Sequence, residues 1–311
     1  MSGLVAGGAR RGSAEPSAET YSRDSLSFTV EDVDADADAN VTCAAWLYLP
    51  DRQDARRLVV TAPGLLPDRR TVAPIARRYA AAGHPVLLFA PRGALGSDGE
   101  TNLLSPDRAA ADWAAALDRA RQLDDVDSSR PILRGRGLAG LLALRVAADR
   151  QVGGVVARAP LVAGLSLRRH APAALGKLLV ATGRDALPAL SATVPAATSD
   201  PDAPSLYGGI PPAPLDRLLP EGAGARTELP ARSALALRSP APPDLASVGA
   251  PALLTVARED RLTDPAAVAD AADALPAGTF LCLPSDGLSR LGRPDEDPAL
   301  PHELTFADQL C

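Results

Sequence analysis

The segment from Pro131 to Arg150 reads PILRGRGLAGLLALRVAADR, and it decides the fold. Pro131 to Gly135 has the short apolar run of a buried strand, whereas Leu138 to Arg150 has the apolar spacing of a helix that packs on a sheet. A glycine-rich turn, GRGLAG, joins the two. The segment therefore predicts a strand-turn-helix unit, which is typical of α/β proteins.

The turn has the glycine pattern of the G-x-S-x-G corner, in which small residues flank a nucleophilic serine because the turn is too tight for larger ones. Gly135 and the small pair Ala139 and Gly140 meet that steric demand. The central residue, however, is Gly137. A turn built for a nucleophile here carries no side chain at the reactive position.

Strand and helix patterns alternate on both sides of this unit. An opening antiparallel pair is predicted at Leu26–Val30 and Val41–Leu49. Further strands are expected at Arg57–Ala62, Pro85–Ala90, Gly154–Ala159, Pro251–Ala257 and Thr279–Pro284, and helices at Val72–Ala82, Asp107–Gln122 and Pro265–Ala274 and from His302 onward. The alternation predicts an α/β fold with a mostly parallel sheet flanked by helices, in which ligands bind beyond the carboxyl ends of the strands.

A change in amino-acid composition divides the chain. From about residue 163 to 248 Pro, Ala, Leu and Gly dominate, and this stretch is too long for a simple loop. We interpret residues 163–248 as a partly helical cap insertion, here called the insertion. Residues 25–162 and 249–311 would form the core, and residues 1–24 a flexible N-terminus.

Composition excludes several classes of function. The chain has 311 residues and a net charge of −6, with arginine supplying almost all of the positive charge, so no basic stripe for nucleic acid is present. Three cysteines predict neither a disulfide framework nor a zinc site, and buried free thiols are expected. No apolar run is long enough to span a membrane, and no secretory leader pattern is present, so the expected location is the cytoplasm. We predict no cofactor and no metal.

From about Thr42 to Leu310 the chain resembles an α/β-hydrolase of the dienelactone-hydrolase and acyl-peptidase-like branch. The resemblance is carried, in the expected order, by CAAWLYLP, RRYAAAGHPVLLF, RGALGSDGE, DRAAADWAAAL, ALRVAAD, LLTVAREDRLTDP and FADQL. It implies the α/β-hydrolase fold with a cap insertion. It also identifies the positions at which such enzymes carry their catalytic groups.

At those positions the chain departs from the family. The resemblance places the nucleophile at Gly137, the catalytic acid at Asp260 and the catalytic histidine at Gly287, or at Leu288 in a register shifted by one. Glycine offers no hydroxyl, thiol or carboxylate, so no acyl-enzyme can form at residue 137. Asp260 is the residual acid, and a solvated loop carboxylate that pairs with a neighbouring arginine is its plainer interpretation.

The family also uses backbone N–H groups to stabilise the oxyanion. By resemblance these belong to Leu65 and to Leu138. The histidine that precedes the first of these turns in the family is replaced by Pro63. Backbone donors persist when side chains change, so this half of the site is expected to remain.

The chain contains other histidines and serines that could replace the missing groups. His84, His170 and His302 lie far from the predicted histidine loop, and each is expected to be a surface or capping residue. The hydroxyl groups available at the rim belong to Ser97, Ser166, Ser285 and Ser289, none of which has a predicted basic partner. GRGLAG also matches the dinucleotide pattern G-x-G-x-x-G, but no acidic residue follows at the spacing that a ribose requires.

Three hypotheses remain at this point. The first is a pseudoenzyme that has lost serine-hydrolase activity and retains a pocket for a small hydrophobic ester-like or acyl ligand. The second is an active serine-type hydrolase of ester or peptide bonds with a relocated nucleophile, Ser285 or Ser97. The third is a protein-binding paralogue of an active hydrolase. The sequence favours the first, because nucleophile and histidine are both absent.

Overall fold

The computed structural model describes residues 21–31, 40–51, 56–64, 69–124, 126–164, 171–187, 190–210, 212, 215, 228–238, 240–241, 243–260, 262–284 and 294–311. All structural statements below concern these residues.

An eight-stranded sheet forms the centre of the protein. Its strands are β1 (Tyr21–Glu31), β2 (Asn40–Pro50), β3 (Arg57–Thr61), β4 (Val86–Phe89), β5 (Asp127–Arg136), β6 (Gly154–Arg158), β9 (Ala252–Ala257) and β10 (Gly278–Leu283). Their order across the sheet is β1-β2-β4-β3-β5-β6-β9-β10. β2 is antiparallel to both of its neighbours, and the remaining pairs are parallel. The predicted α/β class with a mostly parallel sheet is confirmed.

The opening antiparallel pair is also confirmed, but β1 begins earlier than predicted. Tyr21 pairs with Pro50, and the pairing continues to Glu31 and Asn40. Residues 21–24, which the sequence analysis assigned to a flexible N-terminus, are therefore held by the backbone ladder to β2. Residues 1–20 lie outside the described residues.

Helices cover both faces of the sheet. On one face lie α2 (Pro106–Arg121) and α3 (Leu138–Asp149), together with α6 (Pro265–Asp273), and on the other α1 (Arg69–Ala81) and α7 (Leu300–Gln309). Successive residues of β3 divide between the two apolar clusters: Leu58 and Val60 face α2 and α3, whereas Val59 faces α1. This alternation follows from the two-residue period of a strand.

The insertion between β6 and β9 contains regular structure of its own. It includes α4 (Pro172–Asp185), α5 (Ser233–Arg238), and an antiparallel pair made of β7 (Thr193–Pro195) and β8 (Glu228–Pro230). Polar contacts tie it to the loop between β4 and α2. The Asn102 side-chain amide donates to the Glu228 carbonyl at 2.9 Å, and the Leu104 N–H donates to the Ser233 hydroxyl at 3.1 Å.

The cysteines are all free, as expected, but only one is deeply buried. Cys43 is inaccessible, Cys282 is half-buried, and Cys311 is exposed. Burial first, and then the charge of Asp112, raise the pKa of the Cys43 thiol to about 12. Within the described ranges, no helix has the length and apolarity needed to cross a membrane.

Candidate functional site

The site begins at the turn between β5 and α3. Gly137 has φ of 60° and ψ of −120°, a left-handed conformation that residues with a side chain rarely adopt. Its N–H donates to the Arg158 carbonyl at 2.9 Å, and its carbonyl accepts from the N–H groups of Leu141 at 3.1 Å and Leu161 at 3.2 Å. The predicted strand-turn-helix unit is present. Hydrogen bonds to α3 and to the end of β6 hold its turn in place.

Close packing accounts for a second glycine in the turn. A Cβ atom on Gly135 would lie 2.2 Å from the carbonyl group of Ala139, in the first turn of α3. Such a contact is far shorter than van der Waals distance. Gly135 therefore lets the helix start directly against the strand, as the sequence analysis expected.

Backbone N–H groups face the same end of the sheet. Leu138 is the first residue of α3, and the first N–H groups of a helix have no partner within it. Gly64, at the end of β3, packs closely against this turn, because a Cβ atom on it would lie 2.5 Å from the Arg136 carbonyl oxygen. Leu65, the other expected oxyanion donor, lies outside the described residues.

Asp260 lies in the turn after β9 and is 7% exposed. Its Oδ1 atom accepts hydrogen bonds from the N–H groups of Leu262 at 2.9 Å and Thr263 at 3.0 Å. The Thr263 hydroxyl donates to the Ala159 carbonyl at 3.1 Å, which fixes this turn to the end of β6. The expectation of a solvated loop carboxylate is wrong, because the backbone of its own turn holds Asp260 in a buried position.

The predicted histidine loop is not among the described residues. Gly287 and Leu288 lie outside the described residues, as do Ser166, His170, Ser285 and Ser289. His302 is exposed at the start of α7.

His84 is fully buried, not a surface residue as predicted. Its Nδ1 lies 3.1 Å from the Arg57 carbonyl oxygen and its Nε2 lies 2.9 Å from Asp308 Oδ1. Arg57 begins β3, whereas Gly137 follows the end of the parallel strand β5. His84 therefore lies at the amino ends of the parallel strands, whereas Gly137 lies at their carboxyl ends.

Ser97 is held by two backbone groups. Its hydroxyl donates to the Ala90 carbonyl at 2.8 Å and accepts from the Ala44 N–H at 2.9 Å. These bonds join the loop after β4 to the edge of the sheet. The hydroxyl thus serves the packing of this loop.

A cavity of about 120 Å³ lies beside the turn. Leu138 and Leu142 of α3 form one wall, and Pro63 and Gly64 form another. The remaining walls come from the loop after β4 and from the first half of α2. Among these lining residues Asp112 is fully buried, and both of its carboxylate oxygens accept hydrogen bonds from Arg92, at 2.8 and 2.9 Å. The lining is mainly apolar, and none of its residues belongs to the insertion.

Three arginines, which the sequence did not indicate as a group, extend from the sheet beneath α7. Arg134 Nε donates to Glu303 Oε2 at 3.1 Å, and Arg158 forms a buried ion pair with Asp297. Arg136 lies next to Arg158 in register. Burial, followed by the charge of Arg158, lowers the pKa of Arg136 to about 10. A signal for this group existed, since arginines recur at alternate positions near the ends of two strands that are otherwise apolar.

Tyr207 is a second residue that the sequence did not indicate. It lies in the insertion, is 5% exposed, and packs in the same apolar cluster as Leu138 and Leu161. Among the described residues, its phenol hydroxyl has no hydrogen-bond partner. Burial and the charge of Asp260 raise the pKa of Tyr207 well above its usual value, while the charge of Arg136 acts in the opposite direction.

Comparison with known proteins agrees with this architecture. No family model matches the chain. AidA, a quorum-quenching protein of Acinetobacter baumannii strain MDR-ZJ06, is 34% identical over 138 residues, which cover 43% of this chain and 45% of AidA. The chain thus aligns with less than half of that relative's length.

Two solved structures match nearly the whole chain. GrgF, an α/β hydrolase from Penicillium sp. sh18, superposes with a TM-score of 0.71 at 18% identity, over 93% of this chain and 98% of GrgF. The Pyrococcus furiosus esterase Pf2001 superposes with a TM-score of 0.58 at 15% identity, over 96% of each chain. The protein therefore has the α/β-hydrolase fold that the sequence resemblance implied.

Proposed function

We propose that this protein is an α/β-hydrolase-fold protein that binds a small apolar ligand and has lost serine acyl transfer. The observation that carries the proposal is Gly137. It occupies the strained turn between β5 and α3, where a nucleophile would project, and it supplies no reactive atom. A covalent acyl intermediate at this position is chemically impossible.

The alternatives for a relocated nucleophile find little support among the described residues. Ser97 already donates to one backbone carbonyl and accepts from another backbone N–H, and its hydroxyl has no basic partner. His84 lies at the amino ends of the parallel strands, in contact with Asp308. A general base must come within about 3 Å of the group that it deprotonates.

The cavity beside Leu138 supports the binding part of the proposal. Its walls are mainly apolar, and it lies next to the N-terminus of α3, whose first N–H groups have no partner within the helix and suit a carbonyl oxygen. A ligand with an acyl or ester carbonyl and a short hydrocarbon chain fits this combination. The same N–H groups would have served the oxyanion in an active enzyme.

Restoring the missing groups tests the proposal. We expect purified native protein to show no turnover of 4-nitrophenyl butyrate and no labelling by a fluorophosphonate. A Gly137→Ser, Gly287→His double variant should hydrolyse the ester and react with the phosphonate, because it returns a nucleophile and a base to a pocket that the proposal retains. Gly137→Ser alone is the matched control, and it should stay far less active because it lacks a base.

Hydrolysis by the native protein that the fluorophosphonate abolishes would contradict the proposal. It would direct the search for a nucleophile to Ser285 and Ser97, each of which can be replaced by alanine. An unchanged native rate in both serine variants would identify an activity that uses neither residue.

The relative AidA suggests a second candidate function, since its name describes a quorum-quenching protein. Quenching by sequestration would need binding alone and no nucleophile. To test this, the protein is incubated with an extract that contains quorum-sensing signals. The signal activity of the mixture is then measured with a reporter strain before and after heat denaturation of the protein. We expect the signal to return after denaturation, whereas permanent loss would indicate chemical conversion.

A further inference from the structure

A groove adjoins the cavity beside Leu138. It has a volume of about 470 Å³ and lies between α5 of the insertion and the segment formed by the loop before α2 and the start of that helix. Residues common to the linings of the groove and the cavity are Glu100, Leu103, Leu104, Ser105 and Arg108. The two spaces therefore meet along one wall.

The volumes of the two spaces indicate how a ligand would be distributed between them. The cavity holds about 120 Å³, which is less than the roughly 150 Å³ of an apolar cavity that binds one benzene molecule. Small-molecule sites usually have volumes of roughly 300–1,000 Å³, and the groove, at about 470 Å³, lies in that range. A ligand whose carbonyl end fills the cavity therefore has room for the rest of its atoms only in the groove.

An apolar strip follows the groove. Leu103 and Leu104 on one wall are half-buried, and so is Ala236 on α5. Leu235, also on α5, lines the groove and is 63% exposed. Covering such a leucine with a hydrocarbon removes apolar surface from water, which is favourable. The groove thus suits an aliphatic chain.

Polar contacts fix the two walls of the groove relative to each other. The Leu104 N–H donates to the Ser233 hydroxyl at 3.1 Å, across the groove to α5. Arg232 forms ion pairs with Glu100 on the loop and, at 3.0 Å, with Asp185 on α4. Two carboxylates of the protein therefore match the Arg232 charge, and the groove is preformed, which lowers the entropic cost of binding.

We propose that the cavity and the groove form one binding site for a neutral, medium-chain aliphatic carbonyl compound. Its carbonyl end lies in the cavity near Leu138, and its chain runs past Leu103 and Leu104 to Leu235. This proposal rests on the proposed function, since the cavity is the pocket proposed there. It names the ligand class and assigns to Leu235, a residue of the insertion, a role in selecting chain length.

Two methyl ketones test the role of the groove: 2-pentanone and 2-nonanone. They differ only by four methylene groups, and neither can be hydrolysed. Ligand-observed NMR titration measures the affinity of each for the full-length protein. A fully buried methylene group improves affinity about fourfold, so even partial burial of four of them should make 2-nonanone bind at least about tenfold more tightly.

An exposed leucine outside the groove provides the matched control. Leu235→Ser should weaken 2-nonanone binding about fivefold and leave 2-pentanone binding unchanged, because the shorter chain does not reach α5. Leu179, on α4 of the insertion, is 57% exposed and does not line the groove. Leu179→Ser should change neither affinity, whereas non-specific adsorption to exposed apolar side chains would weaken 2-nonanone binding equally in both variants.

A third variant separates failure of the groove from failure of the pocket. Ala109 lines the cavity but not the groove, so Ala109→Leu should weaken the binding of both ketones. Equal native affinities for the two ketones, or equal effects of Leu235→Ser and Leu179→Ser, would overturn the role of the groove while the pocket stands. Unchanged binding in Ala109→Leu would overturn the placement of the carbonyl end. Failure of the native protein to bind either ketone would overturn the proposed function as well.

Discussion

Gly137 adopts a backbone conformation that side chains resist, with φ of 60° and ψ of −120°. Holding a residue other than glycine in such a region costs about 1–3 kcal/mol. We therefore expect Gly137→Ala to lower the free energy of unfolding by about 1–3 kcal/mol, as measured by urea denaturation.

Gly176 provides the matched control. It lies inside α4, and a Cβ atom added to it would meet nothing within 4 Å. Alanine is preferred over glycine in a helix by about 0.5–1 kcal/mol, so Gly176→Ala should raise stability by that amount. Equal effects of the two substitutions would show that residue 137 is not strained.

The individual residues show where sequence reasoning reached its limit. Gly137 could be placed in its turn because a strand pattern, a glycine run and a helix pattern are contiguous. The burial of His84 could not be predicted, since its partner Asp308 is 224 residues away. The burial of Asp260 was also missed. Hydrogen bonds from a residue's own turn leave no periodic signal in the sequence.

At the scale of elements, α7 is joined to the sheet by buried charge. Glu303 is fully buried and accepts from Arg134 on β5 at 3.1 Å, and the Tyr79 hydroxyl of α1 lies 3.4 Å from the same carboxylate. Removing one partner of a buried ion pair leaves the other charge buried without a counter-ion, at a cost of about 3–5 kcal/mol. Glu303→Gln should therefore lower the free energy of unfolding by about that amount.

A surface pair serves for comparison. Arg78 and Asp295 approach to 2.9 Å, but their side chains are 50% and 72% exposed. Exposed ion pairs contribute less than about 1 kcal/mol, so Asp295→Asn should have little effect in the same denaturation experiment. An equal loss in free energy of unfolding in the two variants would contradict the claim that burial makes the Glu303 ion pair important.

Elements differed in how well the sequence predicted them. The parallel strands and their helices were predicted to within a few residues. β3, β4, β6 and β9 are buried on both faces, so each of them is a short apolar run in the sequence. β5 begins at Asp127, four residues before the predicted start, where polar residues and Pro131 mask the pattern. The elements of the insertion could not be assigned, since proline and alanine carry no clear period there.

At the scale of the whole molecule, the ion pairs beneath α7 make stability depend on acidity. Burial raises the pKa of Asp297, but the charge and hydrogen bond of Arg158 outweigh this effect, so the net pKa lies below the model-peptide value of 3.8. Asp297 thus stabilises the folded protein above pH 3.8, and the contribution is lost as the pH falls through the lowered pKa.

Asp297→Asn isolates this contribution. The native protein should exceed the variant in free energy of unfolding by a constant amount well above pH 3.8, and the difference should shrink as the pH falls through the lowered pKa of Asp297. Urea denaturation of both proteins across this range measures it. A difference that stays constant down to the lowest pH would show that Asp297 does not act through its charge.

The polar contacts of Asn102 and Leu104 with the insertion join segments 126 and 129 residues apart along the chain. The walls of the cavity beside Leu138 are likewise assembled from distant parts of the sequence, from Pro63 to Leu142. A binding site of this kind cannot exist in a partly assembled chain, since closing such long loops precedes any of its contacts. During refolding, recovery of ligand affinity should therefore be among the last signals to return, later than the recovery of helical circular dichroism.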